Sequence, residues 1–164
     1  MTDRARTRTG YDAVAERYAA EISDELHGKP FDRALLDVLA ARADGPVLDA
    51  GCGPGHLAAY VLARGSSVIA LDLSPAMSAI AGRVVPSVVG DLTALPVRSG
   101  VLGGLVCAFA VIHLDEGGRA AAYAEVARVL RPGAWALISF HTRDGDADVS
   151  GSKVVTDWWG TPSR

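Results

Sequence analysis

The segment DAGCGPG, Asp49 to Gly55, stands between a short apolar run and a helical one. Its three glycines at alternate positions, Gly51, Gly53 and Gly55, permit a tight turn and let a ligand approach bare backbone. The run in front, Gly45 to Gly51, is apolar and bounded by glycines, so it reads as a buried strand. Behind the loop, His56 to Arg64 reads as a helix that Gly65 closes. A helix opening here presents unpaired N–H groups and the positive end of its dipole. A ligand with polar or negative groups belongs at this loop.

The alternation continues on both sides. Upstream, Tyr11 to His27 reads as a helix ended by Gly28, and Pro30 opens a second helix with Phe31, Leu35, Leu36, Val38 and Leu39 on its apolar side. Downstream, Ser67 to Leu73 is a second strand, after which Ser74 and Pro75 supply an N-cap and a proline in the first turn. Ser87 to Val89 is a weak third strand and Val101 to Val111 a fourth. Glu116 to Leu130 is a helix closed by Arg131, Pro132 and Gly133, and Ala134 to Phe140 is a fifth strand. Near-continuously apolar strands alternating with helices predict an α/β fold: a Rossmann-like, doubly wound, mostly parallel sheet with helices on both faces. Ligands bind such sheets at the carboxyl ends of the strands, so the loops after the strands are the place for a site.

The chain has 164 residues, the size of one domain, and is about half apolar. A net charge of -3 with 21% charged residues argues against a nucleic-acid surface. The first ten residues lack a signal-peptide core, and the longest uncharged run, Ser99 to Leu114, is too short and Gly-broken for a bilayer. Cys52 and Cys107 are far apart and form no metal-ligand or disulfide pattern. A cytoplasmic protein with no metal is expected. Residues 1–44 read as an N-terminal helical lid segment, 45–141 as the binding core and 142–164 as a polar tail.

Two ligand classes suit a glycine loop of this kind. The dinucleotide fingerprint G-x-G-x-x-G, counted from Gly51, needs its third glycine where His56 stands. The order here is instead acidic-x-G-x-G-x-G. It resembles motif I of the class I S-adenosylmethionine-dependent methyltransferases, of the methyltransferase type 11/25-like kind. GDLTALP after the third strand, FAVIHL after the fourth, and EVARVLRPGAWALIS, Glu125 to Ser139, resemble later family segments.

The resemblance implies S-adenosyl-L-methionine as cofactor, held by Asp49, Gly51, Cys52, Gly53 and Gly55 of the loop and by Asp72 and Leu73 ending the second strand. Asp72 suits a ribose diol, a contact that NAD also offers. Asp91 matches the position that meets the adenine amino group, Leu92 the one that covers the ring, and Phe109 opens the segment at the methyl-transfer centre. Tyr11 and Tyr18, two turns apart in YDAVAERY, resemble a lid whose aromatics close over the methionine end.

The implied function is methyl transfer to a small-molecule acceptor by in-line displacement, with no nucleic acid or membrane partner. A base is needed only if the acceptor must lose a proton; His113 and His141, each following a strand end, are the candidates. His56 is expected to cap or pack. The alternatives are a cofactor-binding remnant or interaction module without catalysis and, disfavoured by His56, an NAD-dependent oxidoreductase.

The sequence departs from the family in two places. VLGG, Val101 to Gly104, stands where many relatives carry a Phe-Asp pair. The family sheet ends in an antiparallel hairpin, whereas only 24 residues, mostly polar, follow Phe140, with Trp158 and Trp159 among them. The chain therefore resembles a member stopped before its hairpin. Its fifth strand would be an open edge, expected either to pair with the tail or another chain or to leave the protein only marginally stable.

Overall fold

A computed structural model of the chain describes residues 3–140. Five parallel strands form one sheet in the order β3-β2-β1-β4-β5. They are β1 (Val47–Ala50), β2 (Val68–Asp72), β3 (Ser87–Val89), β4 (Leu102–Ala108) and β5 (Leu130–Ser139). Five helices accompany them: α1 (Asp3–Ile22), α2 (Pro30–Arg42), α3 (His56–Leu62), α4 (Pro75–Ala81) and α5 (Glu116–Val129). Short 3-10 turns cover Glu25–Gly28 and Val111–His113. The expected doubly wound α/β fold is present, but the fourth strand ends at Ala108 rather than Val111, which opens the second 3-10 turn.

Side-chain alternation along β1 sorts the core into two layers. Val47 packs with Leu36 and Leu39 of α2 and Val61 of α3 on one face. Leu48 and Ala50 pack with Leu105, Cys107 and Val129 on the other, under α5. Ser74 caps α4 as the sequence requires, its hydroxyl accepting from the Met77 amide at 3.1 Å. Asp115 caps α5 in the same way through Gly118 at 2.7 Å.

Three expectations need correction. On α2 only Leu36 and Leu39 of the expected apolar side are buried, and Phe31, Leu35 and Val38 are exposed. The first helix begins at Asp3 rather than Tyr11 and ends at Ile22. It is held by docking onto α4: Asp12 accepts from the Ser74 hydroxyl and the Ala76 amide, Glu16 pairs with Arg83, and Ala15 packs on Met77 and Ile80. Arg131-Pro132-Gly133 does not separate α5 from β5, since the strand already starts at Leu130. The triplet forms a bulge, because the register moves from Leu102 opposite Leu130 to Gly104 opposite Trp135, with Gly133 at φ +81°. The Gly103–Gly104 pair has a packing reason. A Cβ on Gly103 would come within 2.5 Å of the Asp44 backbone, so the chain entering β1 crosses β4 where no side chain fits.

β5 is the outer strand of the described sheet. His141, the 142–164 tail and its two tryptophans lie outside the described residues. Among the described residues no helix is long and apolar enough to cross a membrane.

Candidate functional site

A cleft of about 800 Å³, counting the part open to solvent, lies over the carboxyl ends of the strands. Its floor is the glycine loop. Gly51 and Cys52 donate their amides to the Leu71 carbonyl at 2.7 and 3.0 Å, tying the loop to β2. Gly51 has φ +78°, and a Cβ there would stand 2.3 Å from the Ala110 Cβ. Bare backbone is therefore obligatory, and it leaves the loop and the turn after β4 in direct contact. Gly53, at φ +53°, donates its amide to Asp72 Oδ2 at 2.8 Å. Asp72 Oδ1 accepts from the Ser74 amide at 2.8 Å. One carboxylate thus joins the glycine loop to the start of α4 while lining the cleft. Burial raises its pKa, and these two amides oppose the rise.

The other expected residues fall into three groups. Gly51, Gly53, Asp72, Leu73, Asp91, Leu92, Phe109, Tyr11, Tyr18 and His113 all line the cleft. Asp49, Cys52 and Gly55 lie behind it. The Cys52 side chain packs in the core between sheet and α3, with its thiol pushed far up by burial, so this residue serves the loop through its backbone. Gly55 is the N-terminal boundary of α3, packed against Ala81. Asp49 is only 1% exposed, and neither of its carboxylate oxygens reaches a hydrogen-bond partner among the described residues. Desolvation pushes its pKa up to about 7; the Ala58 amide, near but not in hydrogen-bond geometry, opposes this weakly, and the charge of Asp72 adds to it. The third group is His141, which is not described.

The two ends of the cleft differ chemically. At one end Asp91 Oδ1 accepts from the Thr93 amide and hydroxyl, both at 2.8 Å, and Oδ2 pairs with Arg4 at 2.7 Å. At the other, Tyr11 Oη lies 2.8 Å from His113 Nε2, with the rings edge to face at 5.4 Å. Tyr18 meets Tyr11 edge to face at 5.9 Å. Burial lowers the His113 pKa and raises that of Tyr11, so both are neutral near neutral pH. Phe109 is the one described non-glycine residue with positive φ, at 56°, and the Lys29 ammonium sits 5.7 Å from its ring centre.

Arg4, Thr7 and Arg8 also line the cleft. Sequence reading missed them, although their helical spacing from Tyr11 was the available signal. His56 binds Glu25 Oε1 at 2.8 Å, and Glu25 also pairs with Lys29 at 2.8 Å. The histidine that breaks the dinucleotide pattern thus anchors the 3-10 turn to α3. No group of His, Cys, Asp and Glu among the described residues is arranged to hold a metal.

The methyltransferase-domain family matches residues 47–133, which run from the start of β1 through the bulge of β5. The chain belongs to that family. The malonyl-[acyl-carrier protein] O-methyltransferase of Enterobacter lignolyticus is 37% identical over 127 residues, 76% of this chain and 49% of that one. The demethylmenaquinone methyltransferase of Beutenbergia cavernae is 32% identical over 130 residues, 75% of this chain and 52% of that one. The chain spans about half the length of these curated relatives. Among solved structures, the Burkholderia thailandensis 1,6-didemethyltoxoflavin-N1-methyltransferase with bound 1,6-didemethyltoxoflavin and S-adenosylhomocysteine superposes with a TM-score of 0.70. It is 27% identical and covers 86% of this chain and 64% of that one.

The methyltransferase-domain cleft fits an S-adenosylmethionine-type ligand on its own chemistry. Asp72 and Asp91 offer acceptors for a ribose diol and an amino group, and bare backbone at Gly51 and Gly53 admits close approach.

Proposed function

We propose that this cleft binds S-adenosyl-L-methionine and directs methyl transfer to a small-molecule acceptor, with Asp72 and Asp91 holding the nucleoside and His113 receiving any proton the acceptor gives up. The observation that carries the reading is the Asp72 carboxylate, fixed by the Gly53 and Ser74 amides at the cleft wall. The names of the demethylmenaquinone and 1,6-didemethyltoxoflavin enzymes support a small acceptor, whereas the malonyl-[acyl-carrier protein] enzyme names one carried on a protein. When bound, the cofactor supplies an electrophilic methyl for in-line displacement. The chain's task is to hold the reactants in line and keep water out. α1 supports both roles, since it is pinned at Asp12 and Glu16 and roofs the cleft with Tyr11 and Tyr18. A neutral His113, oriented by the Tyr11 hydroxyl, is in the right state to accept a proton.

Calorimetric titration with S-adenosylhomocysteine and NADH in parallel tests the binding reading. The wild-type chain is expected to bind the former and not the latter. Asp72→Asn turns an amide NH₂ toward a backbone donor and is expected to weaken S-adenosylhomocysteine at least about tenfold, the loss of one charge-assisted hydrogen bond. Tighter NADH binding, or unchanged affinity in the variant, would reject it. For the proton role, His113→Asn is expected to keep S-adenosylhomocysteine affinity within about threefold while transfer to a protonated acceptor slows about 10²-fold. An unaltered rate would remove His113 from the chemistry.

A further inference from the structure

The first turns of α1 carry Arg4, Arg6 and Arg8, close to the positive end of the helix dipole, where cations are disfavoured. A local rule broken in this way marks a place where charge has another use. Arg4 is answered across the cleft by Asp91. Arg8, one turn further on, is exposed, lines the same cleft and has no partner among the described residues. Arg4, Arg8 and Tyr11 share one helix face by their spacing. The outer two are fixed, at Asp91 and at His113. The Arg8 side chain therefore enters the cleft between the nucleoside end and the Tyr11–His113 end.

At the nucleoside end Arg4 is paired with Asp91, whereas no anion among the described residues pairs with Arg8. Tyr11 and His113 are both neutral, so among the described cleft-lining residues Arg8 is the cation left to face an incoming acceptor. A guanidinium presents two parallel donors that match a carboxylate. A phosphate dianion asks for more than one cation, and Arg4 is already committed to Asp91.

We propose that Arg8 is the specificity-determining cation of the acceptor subsite, and that the acceptor bears a carboxylate held by this guanidinium at the cleft mouth while a different nucleophilic atom faces Tyr11 and His113. The proposal rests on the methyl-transfer reading and adds the chemical class of the acceptor.

The test uses the chain saturated with S-adenosylhomocysteine and ligand-observed NMR with matched probes: salicylate against salicylamide, anthranilate against anthranilamide, and phenyl phosphate. Each acid is expected to bind about tenfold more tightly than its amide, a charge-assisted pair's worth of affinity. Arg8→Gln is expected to erase the preference, and Arg8→Lys to keep part of it, each variant being compared at saturating S-adenosylhomocysteine. Equal binding of acid and amide, no binding of either acid, or a preference that survives Arg8→Gln overturns the proposal. Tighter binding of phenyl phosphate than of salicylate overturns the carboxylate assignment. Failure of the wild-type chain to bind S-adenosylhomocysteine is a separate result: it removes the methyl-transfer reading and the proposal with it.

Discussion

Gly51→Ala is expected to destabilise the chain by about 2–5 kcal/mol and to abolish measurable S-adenosylhomocysteine binding. Two costs combine. A non-glycine residue at φ +78° costs about 1–2 kcal/mol. The new methyl would stand 2.3 Å from the Ala110 Cβ, and forcing such overpacking costs about 1–3 kcal/mol more. Set against a typical stability of about 5–15 kcal/mol, the sum is severe. The damage also reaches the site, because Ala110 lies between Phe109 and His113 in the turn after β4. Adding Ala110→Gly removes the clashing partner and should restore the packing share while leaving the backbone share. Urea unfolding of the two single variants and the double variant separates the two costs. A Gly51→Ala chain as stable as the wild type would refute the close contact between the loop and the turn.

Asp49→Asn is expected to change how stability depends on pH. The folded chain holds the Asp49 proton up to about pH 7, whereas an unfolded carboxyl releases it near 4. Between those values the native state binds more protons, so this group's contribution falls as pH rises, by up to about 1.4 kcal/mol per pH unit, and levels off above 7. Asparagine has no such titration. The difference in unfolding free energy between wild type and variant should therefore slope across pH 4 to 7 and flatten beyond. Glu25, Asp37 and Glu125 have lowered values and act in the opposite sense at more acid pH. They are common to both proteins and cancel in the difference. A flat difference would mean that the ionised carboxylate is well accommodated beneath the loop.

The parts of the fold legible in the sequence were those fixed by local chemistry. The apolar runs of β1, β2 and β4, the Ser74-Pro75 helix start and the glycines of the loop declare themselves within a few residues. Asp72 and Asp91 were legible because strand ends locate a site in this architecture. What escaped was set by partners distant in the chain. The docking of α1 depends on Asp12 and Glu16 meeting α4. Arg4 finds Asp91, and Tyr11 finds His113, across about a hundred residues that no local pattern connects. Arg131-Pro132-Gly133 carries ordinary turn chemistry, and only the pairing of β5 with β4 converts it into a bulge. Cys52 sits in the binding motif, yet the alternation of the chain turns its side chain into the core.

The two cysteines give the domain a built-in stopwatch. Cys52 belongs to the core layer on one face of the sheet and Cys107 to the layer on the other. Both are buried, with Cys107 pushed up to about 12 and Cys52 further still. The native chain thus keeps both sulfurs protonated and out of reach, and an alkylating reagent modifies either one only during transient breathing of its own layer. Labelling rates resolved sulfur by sulfur report how often each side of the sheet loosens, with no engineered reporter.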